Sequence, residues 1–214
     1  MAGCVLLVAC GSGSSQWQNQ LPSTVDKVTP YNLYREIGMR IDLVPRGVGG
    51  RRKNRPMTPS YITIHSTQNP TGDAFDHALA LKRGALSASW HFTVQDNLSI
   101  QHLPTRQEGR HADMDGPGNH NSIGIEMCEH RGNNRAYTIE RTAKLAAYLM
   151  YIHRIPLSRV VPHYHWPRAG YRPPNKNCPH FLLDNGRPGR TWQWFLSRVN
   201  LHYHRLMPGP MITT

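Results

Sequence analysis

The chain has 214 residues, enough for one domain of ordinary size with its own core plus a terminal extension, and too few for two full domains. Its 25 Lys and Arg outnumber 13 Asp and Glu for a formal charge of +12, and 13 histidines add to that in mild acid, so the partner implied is anionic: nucleic acid, a carboxylate-rich polymer or an acidic membrane surface. Four cysteines make no disulfide framework, and no run approaches the ~20 apolar residues that a membrane span needs.

Residues 1–10, "MAGCVLLVAC", close a short apolar run on Leu7-Val8-Ala9-Cys10, and Gly and Ser follow. The stretch resembles a bacterial lipoprotein export signal, which implies lipid on Cys10, membrane attachment there, and a periplasmic place in the bacterial cell envelope. The alternative is an apolar terminus without that role, in a secreted or cytoplasmic protein. Residues 11–30 are Ser, Gly, Gln and Pro with little periodicity and read as a flexible tether. Residues 31–56 read as an N-terminal extension lying over the core, ending in a Gly and Arg/Lys cluster that is either a solvated basic loop or a nucleic-acid patch. The body of the domain is assigned to 57–206, and 207–214 to a tail.

From Tyr61 the pattern sharpens. "YITIH" alternates as a strand does, with Ile62 and Ile64 on one face and His65 at its end. "DAFDHALALKRGA" has helical spacing through Phe75, Leu79 and Lys82 and stops at Gly84, and "WHFTV" and "LSIQHL" flank Asp96-Asn97 as a hairpin. "SIGIEMC" sets Ile123, Ile125 and Met127 against Gly124, Glu126 and Cys128, so this strand points a carboxylate away from its apolar face. "TIERTAKLAAYLMYIHR" predicts a long core helix with Thr138 as N-cap and Ile139, Leu145, Ala146, Leu149 and Ile152 near a 3.6 period. "RVV" makes a short strand leading into His163. "TWQWFLSRVNLHYHRL" predicts a terminal helix with Trp192, Phe195, Leu196, Val199 and Leu206 on one side. The fold class expected is α/β, a single domain with a central mixed sheet flanked by helices.

Between the last two elements lies "VVPHYHWPRAGYRPPNKNCPHFLL", dense in proline and in groups that ligate metal or move protons. Such a loop buries little apolar surface, so those side chains are placed for chemistry or are a solvated basic rim. Zinc prefers imidazole nitrogen and thiolate sulfur in a tetrahedral array, and His65, His163 and Cys178 supply three such donors at strand ends or just beyond. Three protein donors leave a fourth position for water, the mark of a catalytic rather than a structural zinc. A Cys128–Cys178 bridge is the competing use of that sulfur.

Four segments, "YITIHST", "SWHFTV", "GRHADMDGPGNHNSIGIEMCEH" and "VVPHYHWPRAGYRPPNKNCPH", come in an order that is similar to the zinc-dependent N-acetylmuramoyl-L-alanine amidases of type 2, the family that includes phage lysozyme-like amidases and peptidoglycan recognition proteins. The resemblance covers roughly Met57 to Leu183. It implies that His65, His163 and Cys178 bind one Zn2+, that Glu126 is the general base, and that Lys176 stabilises the oxyanion. It also implies the reaction: zinc-bound water hydrolyses the amide joining N-acetylmuramic acid to L-alanine in peptidoglycan or muropeptides, for cell-wall turnover. The stretch from His163 to Cys178 is longer than the family's, with "PRAGYRPPN" inserted, which leaves His165 as the alternative ligand. Trp90 stands where phage lysozyme-like members carry tyrosine, which shifts the acid–base work to Glu126.

His91 and His111 resemble the family's cleft-lining histidines, with a core hydrogen bond as the alternative for each. Asn119 and Asn121 either shape the groove or form a turn. Trp166 and Tyr171 either stack on substrate or pack. Stem peptides carry free carboxylates, which suits the basic surface. The alternative function is a non-catalytic peptidoglycan-binding module. No nucleic-acid-binding motif accompanies the charge. A monomer is expected, since the apolar helix faces are accounted for by the core.

Overall fold

The expected strand at "YITIH" forms as β2 (Tyr61–Ser66) in the computed structural model, which describes residues 18–22, 24–51 and 55–207. The proposed lipidation at Cys10, the first part of the tether, residues 52–54 of the basic cluster and the tail beyond 207 lie outside the described residues. β2 alternates in chemistry but is buried on both faces, because helices cover one face of the sheet and loops the other. The others are β1 (Met39–Ile41), β3 (Phe92–Val94), β4 (Ser99–Gln101), β5 (Ser122–Met127) and β6 (Val160–Pro162), in the order β1-β4-β3-β5-β2-β6. Every neighbouring pair is parallel except β3 and β4, the predicted hairpin about Asp96-Asn97.

The two faces of this sheet differ in kind. Ile62, Ile64, Ile123, Ile125 and Met127 point into the main core, where they meet α1 (Pro30–Ile37), α4 (Arg135–His153) and α5 (Arg190–Arg205). Thr63, His65, Gly124 and Glu126 point the other way, under the loops that run from 103 to 121 and from 163 to 182. The apolar face therefore stabilises the sheet, and the polar face is free to carry chemistry.

Several expectations are corrected. Residues 31–56 do not merely lie over the core: Leu33 and Ile37 of α1 are fully buried within it, and β1 is the sheet's edge strand, parallel to β4. Gly38, at φ +62, makes the turn between them in a conformation that side chains resist. Pro22 and residues 24–29 are not a free tether. Arg198 donates to the carbonyl of Pro22 and Arg205 Nε to that of Asp26 at 2.8 Å, which straps the segment along α5.

α2 (Ala74–Lys82) forms where predicted but turns its other side inward: Ala74, Ala78 and Leu81 are buried, while Phe75 and Leu79 are 45 % exposed. Alanines let the helix approach β3 and β4 closely, and the capping box of Asp73 and Asp76 fixes its start. The N-cap of α4 is Asn134, whose side chain accepts from Tyr137 N, rather than Thr138, whose hydroxyl turns back onto the carbonyl of Asn134. Ile152 lies outside the core. Cys128 and Cys178 are both free thiols.

Candidate metal centre

The parallel pairing of β2 with β5 and β6 assembles the site. His65 is in register with Glu126 on one side, and Ile64 with Pro162 on the other, so His163 emerges one residue later beside His65. Cys178 arrives from the loop. Its sulfur receives Ser66 N–H at 3.4 Å, its carbonyl receives Tyr164 N–H at 3.1 Å, and a tight turn joins its N–H to the carbonyl of Lys176 at 2.8 Å. The donor atoms of His65, His163 and Cys178 lie within 4.8 Å of one another, all three residues buried. His165 is exposed, so the fold brings His163 and not His165 to this point.

Hydrogen bonds settle which nitrogens carry protons. A carbonyl only accepts, so His163 Nε2–H donates to Ala112 O at 3.0 Å and His111 Nε2–H to Ser122 O at 3.2 Å. His111 Nδ1 is then an acceptor, and His65 Nε2–H donates to it at 3.0 Å. This leaves Nδ1 of His65 and Nδ1 of His163 as bare lone pairs, and they face each other at 2.9 Å. Two such lone pairs repel unless a cation lies between or beside them. A proton serves poorly, because burial, first of all, holds both imidazoles below their ordinary range, His65 well below it and His163 down to about 4. Burial likewise pushes the Cys178 thiol up to about 12, so a thiolate here needs a cation for company. Two imidazoles and a thiol in this state fit a zinc-type ion.

Glu126 completes the centre. Its Oε1 is 3.9 Å from His65 Nδ1, and its Oε2 is buried with no hydrogen-bond partner among the described residues. Burial raises its pKa to about 7, against the opposing pull of Lys176. The half-buried Lys176 thus stands within electrostatic reach of Glu126, His65, His163 and Cys178.

The remaining candidates divide. His111 belongs to the centre, not as a groove wall but as the acceptor that orients His65, and Gly124 makes room for it: a Cβ there would lie 2.8 Å from its ring. His91 is a core histidine, fully buried between Gln107 O and Gly124 N, so the groove role is corrected. Trp166 is 5 % exposed, donates from its indole to Thr63 Oγ1 at 2.9 Å and packs on Ala112 and Val161, so it offers no face to a ligand. Asn121 is exposed at the start of β5, the opposite end of that strand from Glu126, where it ends the short helix α3 (Pro117–His120). Asn119 is the structural member of that pair, its side-chain oxygen taking the N–H groups of both His111 and Ala112.

Sequence reasoning missed one pair. Glu129, just past β5, bonds Gln68 N at 2.9 Å and lies 3.4 Å from His180 Nε2, bracing the turn after β2 against the Cys178 loop. The signal available was its position two residues beyond a strand that already carries a polar face.

A family model described as N-acetylmuramoyl-L-alanine amidase matches residues 54–181. The chain is 42% identical over 164 residues to N-acetylmuramoyl-L-alanine amidase XlyA of Bacillus subtilis (strain 168), 74% of this chain and 50% of that one. It is 40% identical over 154 residues to N-acetylmuramoyl-L-alanine amidase CwlH of the same organism, 69% of this chain and 56% of that one. The chain therefore spans about half the length of these relatives. The solved catalytic domain of XlyA superposes with a TM-score of 0.67 at 40% identity, over 76% of this chain and 99% of that domain.

Proposed function

The chain belongs to the N-acetylmuramoyl-L-alanine amidase family, and we propose that it hydrolyses the amide between N-acetylmuramic acid and L-alanine of peptidoglycan or muropeptides as a zinc enzyme of cell-wall turnover. One observation carries the reading: the facing lone pairs of His65 and His163 and the thiol of Cys178 lie beside a buried carboxylate with an unpartnered oxygen. His65 and His163 would hold the ion through Nδ1 and Cys178 through its sulfur. Zinc in that donor set supplies Lewis acidity, polarising the scissile carbonyl and easing ionisation of the attacking water.

The chain's own groups do the rest. Glu126 Oε2, free of hydrogen bonds among the described residues, takes a proton from the water and returns it to the alanine nitrogen as the C–N bond breaks. Water is thus added across the amide, giving a lactyl carboxylate and a free stem peptide. Lys176 sets positive charge where negative charge gathers on the carbonyl oxygen. The register that aligns His65 with Glu126 keeps base and ligand on one rigid face. On this reading the protein would act at the bacterial cell envelope, and as a monomer whose helices α1, α4 and α5 bury their apolar residues in one core.

The test is mass spectrometry of muropeptides incubated with the protein loaded with zinc and after chelation. Zinc-dependent release of stem peptide, abolished by Glu126→Gln with zinc still bound, is the expected result. Tight binding of muropeptide with no release by the zinc-loaded chain would make it a recognition module instead.

A further inference from the structure

The stretch between His163 and Cys178, longer than the family's pattern, forms a closed loop and not a slack one. Arg168 N–H donates to Pro174 O at 3.0 Å across its neck, Tyr171 N–H to Arg168 O at 3.3 Å within it, and Asn175 Nδ2 to Tyr164 O at 2.8 Å behind the His163 turn. Inside this frame the Arg168 guanidinium lies over the ring of Tyr171, 4.2 Å from its centroid. Tyr171 is 50 % exposed, so the stack stands at the surface.

Arg168 is only half-buried, yet its Nε is closed off from solvent with no acceptor, and among the described residues no carboxylate pairs with the group. A guanidinium is a planar fork matched to a carboxylate, and its two Nη groups, which make no hydrogen bond among the described residues and are not closed off from solvent, are the edge that a ligand can reach. The loop that carries it runs directly between His163 and Cys178, tied to both by Trp166 N–H on His163 O at 3.0 Å and Tyr164 N–H on Cys178 O at 3.1 Å. A cation ordered by stacking, without a carboxylate partner among the described residues and carried on the loop between two of the metal donors, is a waiting half of an ion pair.

We propose that Arg168, held in place by Tyr171, binds a free carboxylate of the substrate's stem peptide and makes the protein prefer acidic over amidated stems. The inference rests on the proposed reaction and adds a specificity residue to it. Lys176 is the cation of the reacting centre, and Arg168 is the cation of recognition.

The test is calorimetric titration of the full chain with synthetic stem peptide, its carboxylates free or converted to carboxamides, so that binding is read without turnover. The wild type should bind the free form about tenfold more tightly. Arg168→Gln should bind both forms alike, Arg168→Lys should recover part of the preference, and Tyr171→Ala should weaken it. With muropeptide as substrate, Arg168→Gln should raise KM about tenfold at unchanged kcat. Equal wild-type affinity for both peptides, no binding of either, or a preference that survives in Arg168→Gln would overturn the proposal. A wild type that prefers the free form but releases no stem peptide would refute the reaction and leave this recognition standing.

Discussion

At the scale of single residues the centre depends on groups that never touch a metal. His111 accepts the proton of His65 Nε2, so replacing it with alanine frees that ring to turn or change tautomer. His111→Ala should weaken zinc affinity about 10- to 100-fold, read by competition with a chelating dye. Gly124→Ala acts on the same contact from below: the new methyl meets the His111 ring at 2.8 Å, and the repacking should cost about 1–3 kcal/mol in urea unfolding. Glu126 behaves in the opposite way. Its folded pKa, about 7, exceeds that of an ordinary carboxyl, so burying its charge opposes folding increasingly as pH rises from 4.5 through 7. In the metal-free protein at pH 8, Glu126→Gln should therefore raise stability by about 1–3 kcal/mol while removing hydrolysis.

Between elements, the contact of α4 with α5 is fixed by a buried cluster. Glu140 receives Arg198 Nε at 3.0 Å, Arg198 Nη2 at 2.6 Å and His202 Nε2–H at 2.8 Å. Although burial works against it, these donors hold Glu140 down at about 2, while burial holds the His202 imidazole below its ordinary range. A depressed acid loses its contribution as pH falls from its unfolded value toward 2. A depressed histidine loses stability once pH falls below the 6.5 at which the unfolded chain takes up the proton. Both act in one direction, so the melting temperature should drop steadily below pH 6.5, and less steeply in Glu140→Gln. Glu140→Ala, which strands Arg198 without its partner, should cost about 3–5 kcal/mol. α2 is a lesson of another sort: its large residues, Phe75 and Leu79, face water, and the small ones face the sheet. Spacing announces a helix but does not say which side is covered, because a close approach selects for alanine as readily as burial selects for phenylalanine.

Over the whole molecule, an excess of 25 basic over 13 acidic side chains makes attraction to any anionic polymer, the proposed wall substrate included, long-ranged and sensitive to salt. Sedimentation with purified wall should fall as ionic strength rises, more steeply than hydrolysis of small soluble muropeptides. Much of the site was legible beforehand, since His65, Glu126 and His163 sit at the ends of strands whose alternation the chain announces locally, and Cys178 follows in a loop that little else explains. What the sequence by itself determined was most of the strands and helices from Tyr61 onward and the candidate donors along them, His65 and His163 at strand ends and Cys178 in the loop that follows, because period and chain order are local properties. Tertiary structure alone decided that β1 joins the sheet, that His91 and Trp166 turn inward, that His163 rather than His165 meets His65, and that both imidazoles present bare Nδ1 atoms. Each of these depends on partners far along the chain, Ala112 and Ser122 for the protons and Ile64 with Pro162 for the register, and no local pattern encodes a contact across such distances.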